Sequence, residues 1–245
     1  QADLGRYELM AFITTSVSSF WSNGIKNAFI SYHNHATEEK RQKLPFTVFL
    51  LITGMAMISG FILLIFPGIL GFFSAESLKP YLSVISIYLL FFASLPLIDT
   101  IFLLKKGCTQ LFFYTHWSQV GFLIITLLVA ILSPTLNAFI LALVLWAGIR
   151  WIYLVFVVIG PFSWKFDKHL IYVFGMFSIP LILNMILGSL MDMIDGWFVT
   201  RYFNTDFFPV FRYGAREMPL SSLLYGSLSL AMIPLLTEDM ANLSI

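Results

Sequence analysis

The stretch SIPLILNMILGSLMDMIDGWF, residues 178–198, decides the fold class of this protein. It is long enough to cross a hydrocarbon core of ~30 Å, which takes about 20 apolar residues in a helix. Its only charged residues are Asp192 and Asp195, three positions apart. A carboxylate near the centre of a membrane helix costs roughly 2.5–3.5 kcal/mol, so such groups usually face a partner or a wet cavity. The stretch therefore predicts a transmembrane helix that borders a functional pathway.

The composition of the whole chain extends this prediction. Of its 245 residues, 59% are hydrophobic and 11% are charged, whereas soluble domains contain about 25% charged residues. We predict an all-α, polytopic transmembrane helical bundle with about seven spans. The predicted spans are residues 9–31, 45–71, 81–103, 111–132, 135–159, 170–199 and 210–236.

Charge, cysteine content and motifs exclude several classes of function. The formal net charge of +1 shows none of the basic excess that is typical of nucleic-acid-binding proteins. Cys108 is the single cysteine in the sequence, so no internal disulfide and no cysteine cluster can form. The sequence contains no phosphate-binding loop, no dinucleotide fingerprint and no zinc-protease motif. We therefore predict no catalytic residues, no metal, no cofactor and no nucleic-acid partner, and we do not expect an enzyme.

Basic residues are divided unevenly between the predicted loops. The loops 33–44, 104–110 and 160–169 lie on one side of the membrane and carry seven basic residues: Lys40, Arg41, Lys43, Lys105, Lys106, Lys165 and Lys168. The segments on the other side carry only Arg6, Lys79 and Arg201. Cytoplasmic loops are enriched in Lys and Arg, which places these three loops in the cytoplasm. The first span then runs inward, and this favours one preceding helix. The chain begins at Gln1 without Met, so we expect part of a longer protein.

Two cations are predicted inside the first five spans. Lys26 shares one face of the first span with several Ser and Thr residues, because a helix has 3.6 residues per turn. It either extends to the cytoplasmic surface or faces the interior. Arg150 lies roughly 15 Å from the cytoplasmic end of its span. It either meets an anion inside the bundle or forms a structural ion pair. Asp99 is expected to contact the membrane interface.

The last two spans are predicted to form a hairpin about the loop 201–208. Equal spacing from the middle of this loop brings Arg212 and Arg216 to the depth of Asp192 and Asp195. The two arginines are four residues apart and lie on one helix face. Asp–Arg pairing across the hairpin is one interpretation, and a role in gating or ion coupling is the other.

Short motifs occur in a characteristic order along the chain. The first group is LGRY (residues 4–7), NGIKNA (23–28) and EEKR (38–41); the second is SIP (178–180), DGWFV (195–199), YGAREMP (213–219) and SLSLAMIP (227–234). In order and spacing these motifs resemble helices 2–8 of the oligosaccharide flippases of the multidrug/oligosaccharidyl-lipid/polysaccharide (MOP) superfamily, the Wzx-type proteins. Arg212 and the pair Arg216-Glu217 depart from this pattern, because many relatives have small or apolar residues there.

The resemblance implies a transporter with two lobes and 12 or 14 helices, of which this chain is a partial copy. Residues 1–165 would form the N-terminal lobe with five spans, and residues 166–245 would begin the C-terminal lobe with two. The lobes would rock to give alternating access. The cargo would be an undecaprenyl-diphosphate-linked oligosaccharide, moved from the cytoplasmic to the outer leaflet of the bacterial cytoplasmic (inner) membrane.

The resemblance also suggests roles for the charged residues. Arg and Lys are suited to hold a diphosphate, so Lys26 and Arg150 are predicted to bind the anionic part of the substrate. The coupling or gating residues are predicted to be Asp192, Asp195, Arg212 and Arg216. The expected partners are the lipid-linked oligosaccharide, membrane lipids and, as a further candidate, polysaccharide-assembly proteins. The alternatives are another MOP-superfamily transporter, either a drug/cation antiporter or a peptidoglycan-precursor flippase, and a membrane-embedded polysaccharide polymerase.

Overall fold

The computed structural model describes residues 2–72, 75–105, 107–133, 135–203 and 207–214, and this part of the chain is helical with short connections. The α-helices are α1 (Ala2–His35), α2 (Glu38–Ile65), α3 (Ile69–Phe72), α4 (Leu82–Phe92), α5 (Pro96–Leu104), α6 (Cys108–Leu132), α7 (Leu136–Tyr153), α8 (Lys168–Tyr202) and α9 (Phe207–Gly214). A 3₁₀ helix, Glu76–Tyr81, leads into α4, and a π-helix, Leu154–Ile159, continues α7. The predicted all-α class is confirmed.

Within the residues that the structure describes, five helical stretches are long and apolar enough to cross a membrane. They are Glu38–Ile65, Glu76–Leu104, Cys108–Leu132, Leu136–Ile159 and Lys168–Gly188, and they coincide with the second to sixth predicted spans. The first predicted span lies within α1, which has 34 residues and a more polar sequence. Most of the seventh predicted span, 210–236, lies outside the described residues. The protein is a polytopic helical membrane protein.

The third predicted span is divided where the sequence has Pro96. Helix α4 ends at Phe92 and α5 begins at Pro96, because proline has no backbone N–H to continue the helical ladder. The backbone N–H of Leu97 instead donates to the carbonyl of Ser94 at 3.1 Å. The new helix start places Asp99 in the first turn of α5. A carboxylate is favoured there, since the N-terminal end of a helix is electropositive.

Helices α1 and α8 pack against each other in opposite directions along much of their lengths. The ring of Tyr32 lies 5.6 Å from that of Phe174, and further along the pair Phe12 lies against Gly196. These contacts are separated by about 20 residues on each helix, which corresponds to ~30 Å at 1.5 Å per residue. The contact between α1 and α8, which we call the α1–α8 seam, therefore extends over the thickness of a hydrocarbon core.

The closest approach in the α1–α8 seam occurs at Gly24. A Cβ atom built on Gly24 would lie 2.5 Å from the Cα atom of Ile182 and 2.8 Å from its backbone nitrogen. The neighbour is backbone, so it has no rotamer that would make room. Glycine is required here because only a residue without a side chain lets the two helices approach this closely.

The connection between the π-helix and α8 is held against the start of α2. The backbone N–H of Ser163 donates to the carbonyl of Gln42 at 3.0 Å. The ring of Trp164 lies 5.3 Å from that of Phe46, and the Lys105 ammonium lies 4.1 Å from the centre of the Phe162 ring. These contacts fix where α8 begins relative to the preceding helices.

Asp167 ends this connection and caps α8. Its Oδ1 accepts a hydrogen bond from the Leu170 backbone N–H at 3.0 Å, and its Oδ2 lies 3.5 Å from Lys43 Nζ on α2. The backbone hydrogen bond from Leu170, and secondarily the charge of Lys43, lower the pKa of Asp167 below its usual value. The ionised form therefore stabilises the folded state.

We expect Asp167→Ala to lower the Tm of the purified protein by a few degrees at pH 7, because a helix cap and an ion pair are lost. The pKa of Asp167 is lower in the folded than in the unfolded state, so its contribution is complete above about pH 4 and declines as the pH falls through the lowered pKa. The difference between the wild-type and Asp167→Ala melting curves should therefore shrink in acid. Asp167→Asn, which retains a capping oxygen, is the control and should lose less; a pH-independent difference would contradict this account.

Candidate functional site

Arg150 turns into the helix bundle from the last turn of α7. Its Nε donates a hydrogen bond to the Tyr114 hydroxyl at 2.9 Å, and its guanidinium carbon lies 5.5 Å from the centre of the Tyr114 ring. Tyr114 belongs to α6 and is only 4% exposed. Arg150 itself is half-buried. The hydrogen bond and the cation–π contact together hold the guanidinium between α6 and α7.

Asp99 connects the two cations that the sequence singles out. It is half-buried, and its carboxylate interacts electrostatically with both Arg150 and Lys26. Among the described residues, no direct ion pair joins it to either cation. We call Lys26, Asp99, Arg150 and Tyr114 the charged cluster. Its members come from four helices, α1, α5, α7 and α6.

The charged cluster carries one positive charge in excess, since it has two cations and one carboxylate. Lys26 is half-buried on α1, as Arg150 is on α7. Charges in such surroundings interact more strongly than in bulk water, because the effective dielectric constant is lower. An anion with several oxygen atoms is the kind of ligand that this arrangement favours.

The sequence analysis missed two members of the charged cluster. It expected Asp99 to contact the membrane interface and did not connect it with Arg150 or Lys26, although its carboxylate interacts electrostatically with both. The only local signal was Pro96, which starts α5 three residues earlier. Tyr114 had no signal at all, because its role depends on the packing of α6 against α7.

Several buried polar groups on the helices around the site lack a partner. In the described ranges, the indole N–H groups of Trp21, Trp146 and Trp151 and the hydroxyls of Thr14 and Thr53 form no hydrogen bond. Such groups are rare in a dry protein interior, because each one left unpaired is costly.

Two serines of α1 use their hydroxyls within the helix. Ser18 is buried, and its hydroxyl donates to the Thr14 carbonyl at 2.8 Å. Ser19 donates to the Ser16 carbonyl at 3.2 Å. These bonds satisfy the hydroxyls locally and leave small side chains at the helix surface, where they permit close packing.

The structure describes the side chains of two of the predicted coupling or gating residues. Asp195 is exposed on α8, and Arg212 is exposed on α9 with its guanidinium carbon 5.8 Å from the centre of the Phe12 ring. No ion pair between Asp195 and Arg212 is present in the described part of the chain. The side chain of Asp192 and all of Arg216 lie outside the described residues.

A polar contact that the sequence analysis missed joins α9 to α1. The Tyr213 hydroxyl donates to Oε1 of Glu8 at 2.6 Å, and Glu8 is only 8% exposed. Beside it, the rings of Phe12 and Phe208 lie 5.4 Å apart. The short helix α9 is therefore attached to the N-terminal part of α1 by both polar and aromatic contacts.

The fold and the charged cluster define a polytopic helical membrane protein with ionic groups inside its bundle. The model of the family described as "Polysaccharide biosynthesis protein" matches residues 1–239, and the chain belongs to that family. Comparison with curated proteins and with solved structures gave no match. The family match confirms the predicted link to polysaccharide biosynthesis.

Proposed function

We propose that this chain is part of a transporter that flips an undecaprenyl-diphosphate-linked oligosaccharide from the cytoplasmic to the outer leaflet by alternating access. Membership of the polysaccharide biosynthesis family and the membrane-spanning helices support a polysaccharide-related membrane transporter. The observation that carries the finer proposal is the charged cluster, in which Arg150 and Lys26 both interact electrostatically with Asp99 while Tyr114 holds Arg150. We propose that the protein is not an enzyme and that it resides in the bacterial cytoplasmic (inner) membrane.

The cargo explains why the cluster would need two cations and a carboxylate. A diphosphate is a dense anion, and a guanidinium can bind it through two parallel hydrogen bonds. Tyr114 holds Arg150 in place before the cargo arrives. Asp99 offsets one of the two positive charges while the cluster is empty, which limits the cost of keeping cations inside the bundle.

The α1–α8 seam is the surface that we propose to move during transport. In this proposal residues 1–165 form the N-terminal lobe and residues 166–245 begin the C-terminal lobe, so α1 and α8 belong to different lobes. Asp192, Asp195, Arg212 and Arg216 are then gating or coupling residues of the C-terminal lobe. The attachment of Tyr213 to Glu8 is a contact between lobes that would have to break on opening.

Transport can be tested directly with the full-length protein in liposomes. A membrane-impermeant reducing agent bleaches a fluorescent undecaprenyl-diphosphate oligosaccharide in the outer leaflet at once. The same lipid in the inner leaflet is protected and is bleached only at the rate at which it moves to the outer leaflet. We expect faster exchange of this lipid than in protein-free liposomes, and no acceleration for a phosphatidylcholine with the same fluorophore. Equal rates for both lipids would reject a specific flippase. Turnover of a sugar nucleotide, or joining of repeat units, would favour a polymerase instead.

One observation favours a second candidate, a drug/cation antiporter of the MOP superfamily. Asp99 is a carboxylate inside the bundle, and a carboxylate is the group that would bind a cationic substrate. The charged cluster has an excess of positive charge, however, and this favours a transporter of an anionic substrate.

Asp99→Asn separates the two candidates. For an anion transporter we expect tighter binding of inorganic pyrophosphate, by about threefold to tenfold, because a competing negative charge near Arg150 and Lys26 is removed. For a cation antiporter the same substitution should abolish transport of an organic cation such as ethidium. Isothermal titration with pyrophosphate and ethidium efflux from cells measure the two outcomes. Glu76→Gln, on an exposed carboxylate of the 3₁₀ helix, is the control.

A further inference from the structure

A cavity of about 440 Å³ opens beside the charged cluster, between the start of α6 and the end of α7. It is lined by Thr109, Gln110, Phe113, Tyr114, Trp117 and Tyr153, and we call it the aromatic cavity. Its volume is in the range of small-molecule sites, which are typically about 300–1,000 Å³. Tyr114 belongs to both the aromatic cavity and the charged cluster.

The walls of the aromatic cavity form a compact set of rings. The Tyr114 and Tyr153 rings are stacked, with centroids 5.5 Å apart and planes inclined by 12°. Trp117 lies 6.1 Å from Tyr114 and 5.8 Å from Tyr153. Neighbouring rings of this kind hold one another in fixed orientations, so Trp117 and Tyr153 present ordered apolar surfaces to the cavity while Tyr114 supports them from behind.

The aromatic cavity also has polar side chains at the start of α6. Thr109 and Gln110 are exposed, and neither forms a side-chain hydrogen bond within the described residues. Aromatic walls with a few polar groups suit a ligand that has both apolar faces and hydroxyl groups. A pyranose ring has these properties, because its C–H faces pack on aromatic rings while its hydroxyls bond to amides and hydroxyls. An acyl chain has no polar groups that could form hydrogen bonds with Thr109 or Gln110.

The position of Arg150 indicates what is attached to that sugar. Its Nε bonds to the Tyr114 hydroxyl at 2.9 Å, and its guanidinium carbon lies 5.5 Å from the centre of the same ring. A sugar packed against Trp117 and Tyr153 would therefore lie next to the residue that binds this cation, because Tyr114 lines the cavity and bonds to Arg150. A sugar joined directly to a phosphate group would place its anion on that side.

We propose that the aromatic cavity binds the pyranose ring that is attached to the diphosphate of the cargo. The inference rests on the proposed function, since it takes Arg150 as the group that holds the diphosphate. Trp117 and Tyr153 pack on the ring, Thr109 and Gln110 bond to its hydroxyls, and the buried Tyr114 holds Tyr153 and Arg150 in place behind them. The aromatic cavity thus recognises the first sugar of the repeat unit, whereas the charged cluster binds the diphosphate that is common to every such lipid.

Soluble probes test this assignment with the full-length protein in lipid nanodiscs. UDP-glucose, UDP-galactose and UDP-N-acetylglucosamine each carry a sugar on a diphosphate, and UDP lacks the sugar. Binding is followed by quenching of tryptophan fluorescence, because Trp117 lines the cavity. The quantity compared is the ratio of the Kd of UDP to that of the tightest UDP-sugar.

We expect Tyr153→Ala and Gln110→Ala to lower this ratio at least about fivefold, in line with the loss of one stacking or hydrogen-bond partner. Tyr153→Phe retains the ring and should restore the ratio. The matched control is Tyr172→Ala, which removes an exposed tyrosine from α8. Gln110 is exposed, so its variant should keep the fold even where loss of the Tyr153 ring disturbs the packing.

Unchanged ratios in both Tyr153→Ala and Gln110→Ala would overturn the proposal. Displacement of the UDP-sugar by short-chain phosphatidylglycerol from wild type but not from Tyr153→Ala would also overturn it, in favour of a lipid site. Failure of the proposed function has a different signature. If Arg150→Gln leaves the affinity for UDP unchanged while the ratio still depends on Tyr153, the anion role is rejected and the sugar site stands.

Discussion

Replacing Arg150 by glutamine is expected to lower export of surface polysaccharide at least about 100-fold in cells that depend on the full-length protein. The pair that is lost is the one proposed between the Arg150 guanidinium and the diphosphate of the cargo. Removing one partner of such a desolvated charge pair costs roughly 2–5 kcal/mol, and each 1.4 kcal/mol corresponds to a factor of ten. Glutamine is shorter than arginine, but its amide nitrogen takes the position of Nε and can still donate to the Tyr114 hydroxyl, whereas the positive charge is lost. Arg150→Lys keeps the charge without the planar fork, so an intermediate loss is expected.

The matched control for this substitution is Arg201→Gln. Arg201 is an exposed arginine in the last turn of α8 and has no part in the charged cluster. Export is measured as surface polysaccharide per cell, with the amount of protein in the membrane determined in parallel. Near-normal export by Arg150→Gln at wild-type protein levels would remove Arg150 from the mechanism. An equal loss in Arg201→Gln would show that the effect reports only on cationic charge in general.

The second large effect is expected at Gly24 in the α1–α8 seam. The Cβ atom of Gly24→Ala would lie 2.5 Å from the Ile182 Cα atom, and no side-chain rotation on Ile182 relieves a clash with its backbone. Helices α1 and α8 must therefore separate locally. Overpacking of this kind costs about 1–3 kcal/mol, which corresponds to a Tm lower by roughly 3–10 °C in a chain of this size.

Gly54→Ala is the matched control because it makes the same chemical change inside a helix. Nothing lies within 4 Å of a Cβ atom built on Gly54 in α2. Alanine is favoured over glycine in a helix by up to about 1 kcal/mol, so this variant should be unchanged or slightly more stable. The two substitutions are thus expected to change the Tm of the purified proteins in detergent differently: Gly24→Ala should lower it, and Gly54→Ala should leave it unchanged or raise it slightly. Equal Tm values would contradict the close packing of α1 on α8.

The second to sixth spans were predictable because each depends on a local property of the chain. An apolar run of about 20 residues forms a membrane helix whatever its neighbours are. The break before Pro96 also has a local cause, since proline lacks the N–H that α4 would need to continue. Lys26 and Arg150 stood out for the same kind of reason, as isolated cations in apolar surroundings.

Their connection was not predictable, because it depends on where distant helices meet. Asp99 is 73 positions from Lys26 and 51 from Arg150, yet it interacts electrostatically with both. The bond from Arg150 to Tyr114 likewise joins α7 to α6. The predicted pairing across the final hairpin stays a prediction for Asp192 and Arg216, which carry no described side chains.

The sequence by itself determined that this is a membrane-embedded helical protein, where most of its helices lie, and which charged residues are out of place in an apolar setting. The tertiary structure alone decided that α1 lies along α8 at Gly24 and that Asp99, Arg150 and Lys26 act on one another. The reason is physical. Membrane insertion is decided segment by segment by transfer from water to lipid. A site is decided by close packing between helices, and the same lipid solvates every apolar face equally, so hydropathy does not record which faces meet.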